Sequence, residues 1–255
     1  MAGKIMIIHE GAAFMISSIE NNMKAAGFEV VQSMPNVEEI TNKKEDVDMY
    51  LLFAGEFLYD SYNVLVYLKD VCAEEEKMLC LIGYNNEIES IEEVIPKKFI
   101  TKVFTRPFEM KTLSLSLKTL IDANAQNMQK KHILLVDDDV AFLRTLRDWF
   151  SGKYRITAVK SGMQAITYIA GHKPDLILLD YDMPTTPGPQ IMEMIKSEPN
   201  FASIPIIFLT GKSDKESVMR VMALKPNGYI LKTMGKNDIV GAVNRFFDSL
   251  KAQND

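Results

Sequence analysis

Three consecutive aspartates, Asp137 to Asp139, close an apolar run in HILLVDDDV at residues 132–140. Two carboxylates about 4 Å apart repel by about 4 kcal/mol at an effective dielectric of about 20, so a fold that gathers such groups must offset that cost. Asp180, Thr210 and Lys232 likewise stand at the ends of short apolar runs, DLILLD, IIFLT and GYILK. Three carboxylates in oxygen-rich surroundings suit a hard divalent cation, most naturally Mg²⁺, which keeps several of its waters. Such an ion offsets the repulsion. An aspartate beside it can attack a phosphoryl group. The metal and an ammonium stabilise charge on the transferring group, while a hydroxyl and a backbone N–H bind its oxygens.

These residues need elements that bring them together. His132–Val136 is short and apolar, as a strand buried on both faces should be. Phe142, Leu143, Leu146, Trp149 and Phe150 recur at helical spacing within Ala141–Phe150. Strands are expected at Tyr154–Val159, Leu176–Leu179, Ile204–Leu209 and Tyr229–Leu231. Helices are expected at Gly162–Ala170, Pro189–Ser197, Lys215–Leu224 and Lys236–Leu250. Strands alternating with helices argue for a parallel sheet covered on both faces. In open α/β sheets ligands bind outside the carboxyl ends of the strands, and all the polar residues above lie at that edge.

The first half repeats the plan. KIMIIHEGAAFM at 4–15 lies beside HILLVDDDVAFL at 132–143, and DMYLLF at 48–53 beside DLILLD at 175–180, with Asp48 matching Asp175. KMLCLIG at 77–83 resembles PIIFLTG at 205–211, and FTRPF at 104–108 resembles ILKTM at 230–234. The repeat is too long for a solenoid and indicates duplication of a whole domain, giving domains at 1–125 and 131–255. Ile121–Lys131 is polar, without Gly or Pro, and is expected to extend the last helix of the first domain as a short, semi-rigid linker.

Composition sets the outer bounds. The chain has 255 residues, which favours two domains over one. Its net charge of −5, with no basic stripe, gives no support for nucleic-acid binding. Cys72 and Cys80 lack metal-ligand spacing and read as structural thiols in a reducing compartment. No apolar run reaches the roughly 18–20 residues of a membrane span. MAGKIMII enters a strand at once, with no room for a signal peptide, so a cytoplasmic protein is expected.

On these motifs, residues 131–250 resemble a response-regulator receiver domain of two-component signalling. The resemblance rests on the acidic pair in VDDD, LDYDMPTTPG around Asp180, LTG at 209–211 and NGYILK at 227–232. It implies two tandem flavodoxin-like (βα)5 domains, each a five-stranded parallel sheet with helices on both faces. It further implies that Asp180 is the phosphoacceptor, that Asp138 ligates Mg²⁺ directly and Asp137 through water, and that Asp182 contributes its backbone carbonyl. Thr210 and the Gly211 N–H would hold phosphoryl oxygens, Lys232 would pair with the group, and Tyr229 would turn inward when Thr210 moves. The donor would be a histidine kinase or a histidine phosphotransfer protein. The signal would pass to a downstream protein, with no DNA-binding or enzymatic output unit after Leu250, no nucleic acid or membrane as partner, and a homodimer among the admissible assemblies. One departure stands out: the family usually has a cis proline after the lysine, whereas Thr233 follows Lys232 here.

A single aspartate after a strand is commonly a helix N-cap, a role assigned to Asp139. GKS at 211–213 resembles the end of a phosphate-binding loop, but Ile206 stands where that loop requires Gly. LLDYDMP resembles the start of haloacid-dehalogenase-type phosphatases, yet Pro184 occupies the position where those have Thr or Val. A non-phosphorylated adaptor built of two receiver-like domains is the remaining alternative. His132 and His172 read as strand-edge or surface residues. In the first domain His9 and Glu10 replace the acidic pair, Phe53 or Ala54 the phosphoacceptor, Ile82 or Gly83 the threonine, and Arg106–Pro107 the lysine segment. This half is therefore expected to be a degenerate, non-phosphorylated domain that serves interaction.

Overall fold

The computed structural model describes residues 3–11, 13–55, 61–211 and 225–252. The chain divides into two units, Met1–Ala125 and Gln126–Asp255. In the first, strands β1 (Lys4–Ile8), β2 (Glu29–Ser33), β3 (Met49–Phe53), β4 (Met78–Gly83) and β5 (Lys102–Thr105) alternate with helices α1 (Ala13–Ala25), α2 (Val37–Lys43), α3 (Tyr62–Glu74), α4 (Asn85–Val94) and α5 (Met110–Met128). The second contains β6 (His132–Val136), β7 (Arg155–Val159), β8 (Leu176–Asp180), β9 (Ile206–Thr210) and β10 (Gly228–Leu231). Its helices are α6 (Val140–Phe150), α7 (Gly162–Gly171), α8 (Gly188–Ser197) and α9 (Lys236–Ala252). The helix expected at 215–224 lies outside the described residues. Residues 121–128 continue α5, as their composition suggested.

Both sheets are parallel and follow one path: β2-β1-β3-β4-β5 in the first and, read from the other side, β7-β6-β8-β9-β10 in the second. Each is a flavodoxin-like fold, with the strand order reversing between its first and third strands. Alternate residues of each buried strand feed opposite faces. Ile133, Leu135, Leu176, Leu178, Ile207 and Leu209 pack against α6 and α9. Leu134, Val136, Ile177, Leu179, Ile206 and Phe208 pack against α7 and α8. The first domain divides its core in the same way, α1 and α5 on one face and α2 to α4 on the other. Each Leu or Ile buried this way contributes about 1.5–3 kcal/mol.

The repeat extends to a single hydrogen bond. The Asp48 carboxylate accepts the N–H of Lys4 at 2.8 Å, and the Asp175 carboxylate accepts the N–H of His132 at 2.8 Å. In both domains this residue before the third strand ties down the start of the first. Local signals set the helix starts. Asp139 caps α6 through bonds from Ala141 and Phe142 N–H, as expected from its position. Ser161 caps α7 through the N–H of Gln164. Strand ends differ slightly from the sequence reading: β8 and β9 include Asp180 and Thr210, because their backbones still pair with the neighbouring strands.

Candidate functional site

The carboxyl edge of the second sheet gathers the residues singled out by sequence. Asp137 follows β6 and is fully buried; Asp180 ends β8 and is 2% exposed; Thr210 ends β9 and is 1% exposed. Asp138, one residue on, is exposed. Oxygens of Asp137, Asp138 and Asp180 all lie within 4.8 Å of one another. Lys232, just past β10, reaches across with Nζ 2.7 Å from Asp137 Oδ2 and 3.0 Å from Asp180 Oδ1. The run of three aspartates thus splits into two roles: buried Asp137 and exposed Asp138 share the cluster, while Asp139 turns back onto the first turn of α6.

Backbone groups complete the arrangement. Asp139 N–H donates to Asp137 Oδ1 at 2.9 Å, and Asp182 N–H approaches Asp180 Oδ1 at 3.4 Å. The carbonyl of Thr210 accepts the N–H of Lys232 at 2.8 Å. Gly211 is exposed beside it. Tyr229 is half-buried against the cluster containing Phe208. Gly188, at the start of α8, abuts the site from behind: a Cβ there would lie 2.1 Å from the Asp180 carbonyl oxygen. A cleft of about 270 Å³ opens beside Asp138, bordered by Lys160, Ser161, Met183 and Thr185.

The electrostatics follow from burial. Desolvation, aided by the charge of Asp137 and opposed by Lys232, pushes the Asp180 carboxyl up to about 6. Burial also raises Asp137, against the pull of Lys232 and the Asp139 N–H. For Lys232 burial acts downward, but the two carboxylates outweigh it and the ammonium is held above its ordinary value. Three carboxylates against one ammonium leave two negative charges in excess. An all-oxygen donor set with that excess fits a hard divalent cation.

Strand register resolves what stands at the same places in the first domain. Phe53 pairs with Ile82 as Asp180 pairs with Leu209, and Gly83 pairs with Thr105 as Thr210 pairs with Leu231. Phe53, Gly83 and Arg106 are therefore the counterparts of Asp180, Thr210 and Lys232. Arg106 N–H bonds the Gly83 carbonyl at 2.8 Å, the same bond that Lys232 makes. Its guanidinium meets Glu87 at 2.6 Å and the Ala54 carbonyl at 3.1 Å, with the rings of Phe53 and Tyr84 4.7 and 4.2 Å away. His9 is bonded to Gln32 at 2.9 Å and accepts the Gly11 N–H at 3.0 Å.

Sequence reasoning did not find Gly188, Glu87 or the placement of Phe142, whose ring lies 5.3 Å from Lys232 Nζ. Gly188 was visible as the last residue of LDYDMPTTPG, but its contact with Asp180 arises from the crossover. The expectation that Cys72 and Cys80 are structural agrees with two buried, unpaired thiols, both pushed up to about 12 by burial. His132 is buried rather than at the surface, in contact with Thr157 and Arg155.

Residues 133–244 match the response regulator receiver domain family. The match covers most of the second domain. The chain is 32% identical over 125 residues to a probable cyclic di-GMP phosphodiesterase of Vibrio cholerae serotype O1, covering 49% of this chain and 28% of that protein. It is 30% identical over 115 residues to the DNA-binding response regulator MtrA of Mycolicibacterium paratuberculosis, covering 45% of this chain and 50% of the relative. These matches span half or less of the relatives' own length. The structure of the phosphorylated cyanobacterial phytochrome response regulator RcpA is 28% identical over 48% of this chain and 96% of that one, with a TM-score of 0.43. No helix among the described residues is long and apolar enough to cross a membrane.

Proposed function

We propose that the second domain accepts a phosphoryl group on Asp180 and that the chain signals through protein contacts that depend on this modification. The observation that carries the reading is the Asp180 carboxylate, buried among Asp137, Asp138 and the Lys232 ammonium at 3.0 Å. With its pKa near 6, Asp180 is mostly ionised at neutral pH and so is a nucleophile. A bond forms from an Asp180 Oδ to phosphorus as the donor's P–N or P–O bond breaks, its electron pair leaving with the donor. Lys232 stabilises charge on the transferring group; the Thr210 hydroxyl and Gly211 N–H are assigned to its oxygens. Asp137, Asp138, Asp180 and the Asp182 carbonyl would hold Mg²⁺, which when bound supplies charge neutralisation at the phosphoryl oxygens.

A histidine kinase or phosphotransfer protein is the proposed donor, and the receiving partner is a protein that recognises the surface around Thr210 and Tyr229. Tyr229 is assigned the role of the ring that moves with Thr210. The proposal includes a cytoplasmic setting and no catalytic turnover of a substrate. The first domain is proposed as a non-phosphorylated receiver-like unit spanning 1–125 that works through its surface, because Phe53 cannot accept a phosphoryl group.

Acetyl phosphate with Mg²⁺ should add one base-labile phosphoryl group to the full chain by mass spectrometry, and Asp180→Asn should remove it. Asp138→Ala should weaken Mg²⁺ binding by at least about tenfold, while Asp139→Ala should leave it within twofold. Full labelling of Asp180→Asn would place the acceptor elsewhere. No labelling of the natural chain would favour the adaptor reading, and steady turnover of a phosphoester would favour the phosphatase.

A further inference from the structure

The turn after β10 raises a question about how Lys232 is held. Lys232 N–H bonds the Thr210 carbonyl at 2.8 Å, and Met234 N–H returns to the Leu231 carbonyl at 3.1 Å, so Lys232 and Thr233 are the central residues of a hydrogen-bonded turn. The Lys232–Thr233 bond is trans, the cis bond among the described residues being Arg106–Pro107. Proline at the second central position of a trans turn is disfavoured, whereas threonine is accommodated. Without a following proline, the backbone of Lys232 is not restricted to the extended region. Its flexible four-carbon stem adds further freedom.

Asp137 and Asp180 attract the ammonium at 2.7 and 3.0 Å, but both contacts change in the proposed reaction. Asp180 would become an acyl phosphate, and Asp137 would help to hold Mg²⁺ through water. Phe142 differs from them. Its ring lies 5.3 Å from Lys232 Nζ, within the range of a cation–ring attraction, and carries no charge that the reaction alters. The ring is also well anchored. Phe142 N–H is fixed by the Asp139 cap at 3.1 Å, and the side chain packs on the core cluster shared by α6 and α9.

We infer that Phe142 is a positioning residue for Lys232, its ring face keeping the ammonium at the phosphoryl position through the reaction while the carboxylate contacts change. This inference rests on the reading of Asp180 as phosphoacceptor. Phe142 itself touches neither phosphorus nor metal.

Two measurements on the full chain test it, with Phe142→Leu removing the ring face, Phe142→Tyr retaining it, and Phe142→Met carried in parallel in case the leucine variant folds poorly. In protein labelled with [¹³C]lysine, the Lys232 ε-methylene resonance, assigned by its loss in Lys232→Arg, should lie upfield of the other lysines. It should return to their position in Phe142→Leu or Phe142→Met and stay upfield in Phe142→Tyr. Labelling of Asp180 by acetyl phosphate at saturating Mg²⁺ should slow roughly two- to fivefold in the variants lacking the ring, the range expected of a cation–ring contact, and remain near the natural rate in Phe142→Tyr. A Lys232 resonance that Phe142→Leu and Phe142→Met leave in place, a natural labelling rate in both variants, or Phe142→Tyr as slow as they are would overturn the inference, while normal labelling of the unaltered chain keeps the phosphoacceptor reading. Absence of labelling in the unaltered chain would overturn both.

Discussion

Lys232 and Arg106 occupy the same place in two copies of one fold, yet their surroundings are opposite. Lys232 faces two of three clustered carboxylates, so its site keeps an excess of negative charge. Arg106 faces one carboxylate among the described residues, Glu87, and its guanidinium also meets the Ala54 carbonyl and the faces of Phe53 and Tyr84. One edge remains electrostatically unbalanced and suited to a cation; the other is internally balanced and filled by its own side chains. The first domain therefore differs from the second by more than one aspartate. The space at Phe53 is packed around the Arg106 guanidinium, and Phe53→Asp alone would leave Arg106 and Glu87 in place.

The largest effect expected from disturbing this contrast is at Gly188. A methyl there would lie 2.1 Å from the Asp180 carbonyl oxygen, so Gly188→Ala should destabilise the second domain by about 3 kcal/mol or more. In the first domain α3 starts after Ser61 with Tyr62, which is 65% exposed, so side chains are accommodated there. Fluorescence of Trp149, the single tryptophan, reports on the second domain. An unchanged unfolding midpoint would show that α8 can shift away from β8.

The next effect is pH-dependent and belongs to the second domain. Burial raises the Asp180 carboxyl from 3.8 to about 6, so the folded state binds more protons than the unfolded state between those values. The resulting penalty is fully present above pH 6 and fades as pH falls toward 3.8. In metal-free protein the second domain should gain on the order of 2 kcal/mol between pH 7 and pH 4.5 from this group. Denaturant titrations across that interval should give a smaller gain for Asp180→Asn; an equal gain would assign the dependence to other groups.

In the first domain, Glu87→Gln removes the negative partner of a largely buried guanidinium and should cost about 2 kcal/mol. Hydrogen exchange should rise in residues 84–95, with Asp180 labelling unaltered. If exchange there does not change, the aromatic faces and the Ala54 carbonyl suffice to hold Arg106. The smallest expected change is a gain. The Tyr50 hydroxyl is buried without a hydrogen-bond partner among the described residues. Tyr50→Phe should stabilise the first domain by about 1 kcal/mol, since it removes an unsatisfied polar group and little else. A lower melting temperature would reveal that the hydroxyl has a partner.

Most of this architecture was legible in sequence because both domains use short apolar strands separated by amphipathic helices, and that pattern has few folding solutions. The gathering of Asp137, Asp138, Asp180, Thr210 and Lys232 was legible for a related reason: each follows or ends a buried strand, and parallel strands deliver their ends to one edge. What escaped depended on register and side-chain direction. Phe53 could not be separated from Ala54, or Gly83 from Ile82, until pairing between strands fixed the correspondence. Phe142 showed only the spacing of a core residue, and nothing in a linear reading directs its ring toward Lys232. Glu87 read as one acid among several in NNEIESIEEV, although it alone of these meets Arg106.

The bonds from Asp48 to Lys4 N–H and from Asp175 to His132 N–H lie at the opposite rim of each sheet from the polar cluster. The two halves have diverged at one rim while retaining the same contact at the other. Each sheet thus has a rim where the two copies share a hydrogen bond and a rim where their side chains differ, separated by the length of a strand, about 17 Å for five residues. This separation makes the fold tolerant of duplication: a copy can change its side chains at one rim without altering the hydrogen bond that joins its first and third strands at the other. A chimera that grafts the β6–α6, β8–α8 and β9 loop residues onto the first sheet would exploit that independence, since Asp48 would remain where the graft needs it.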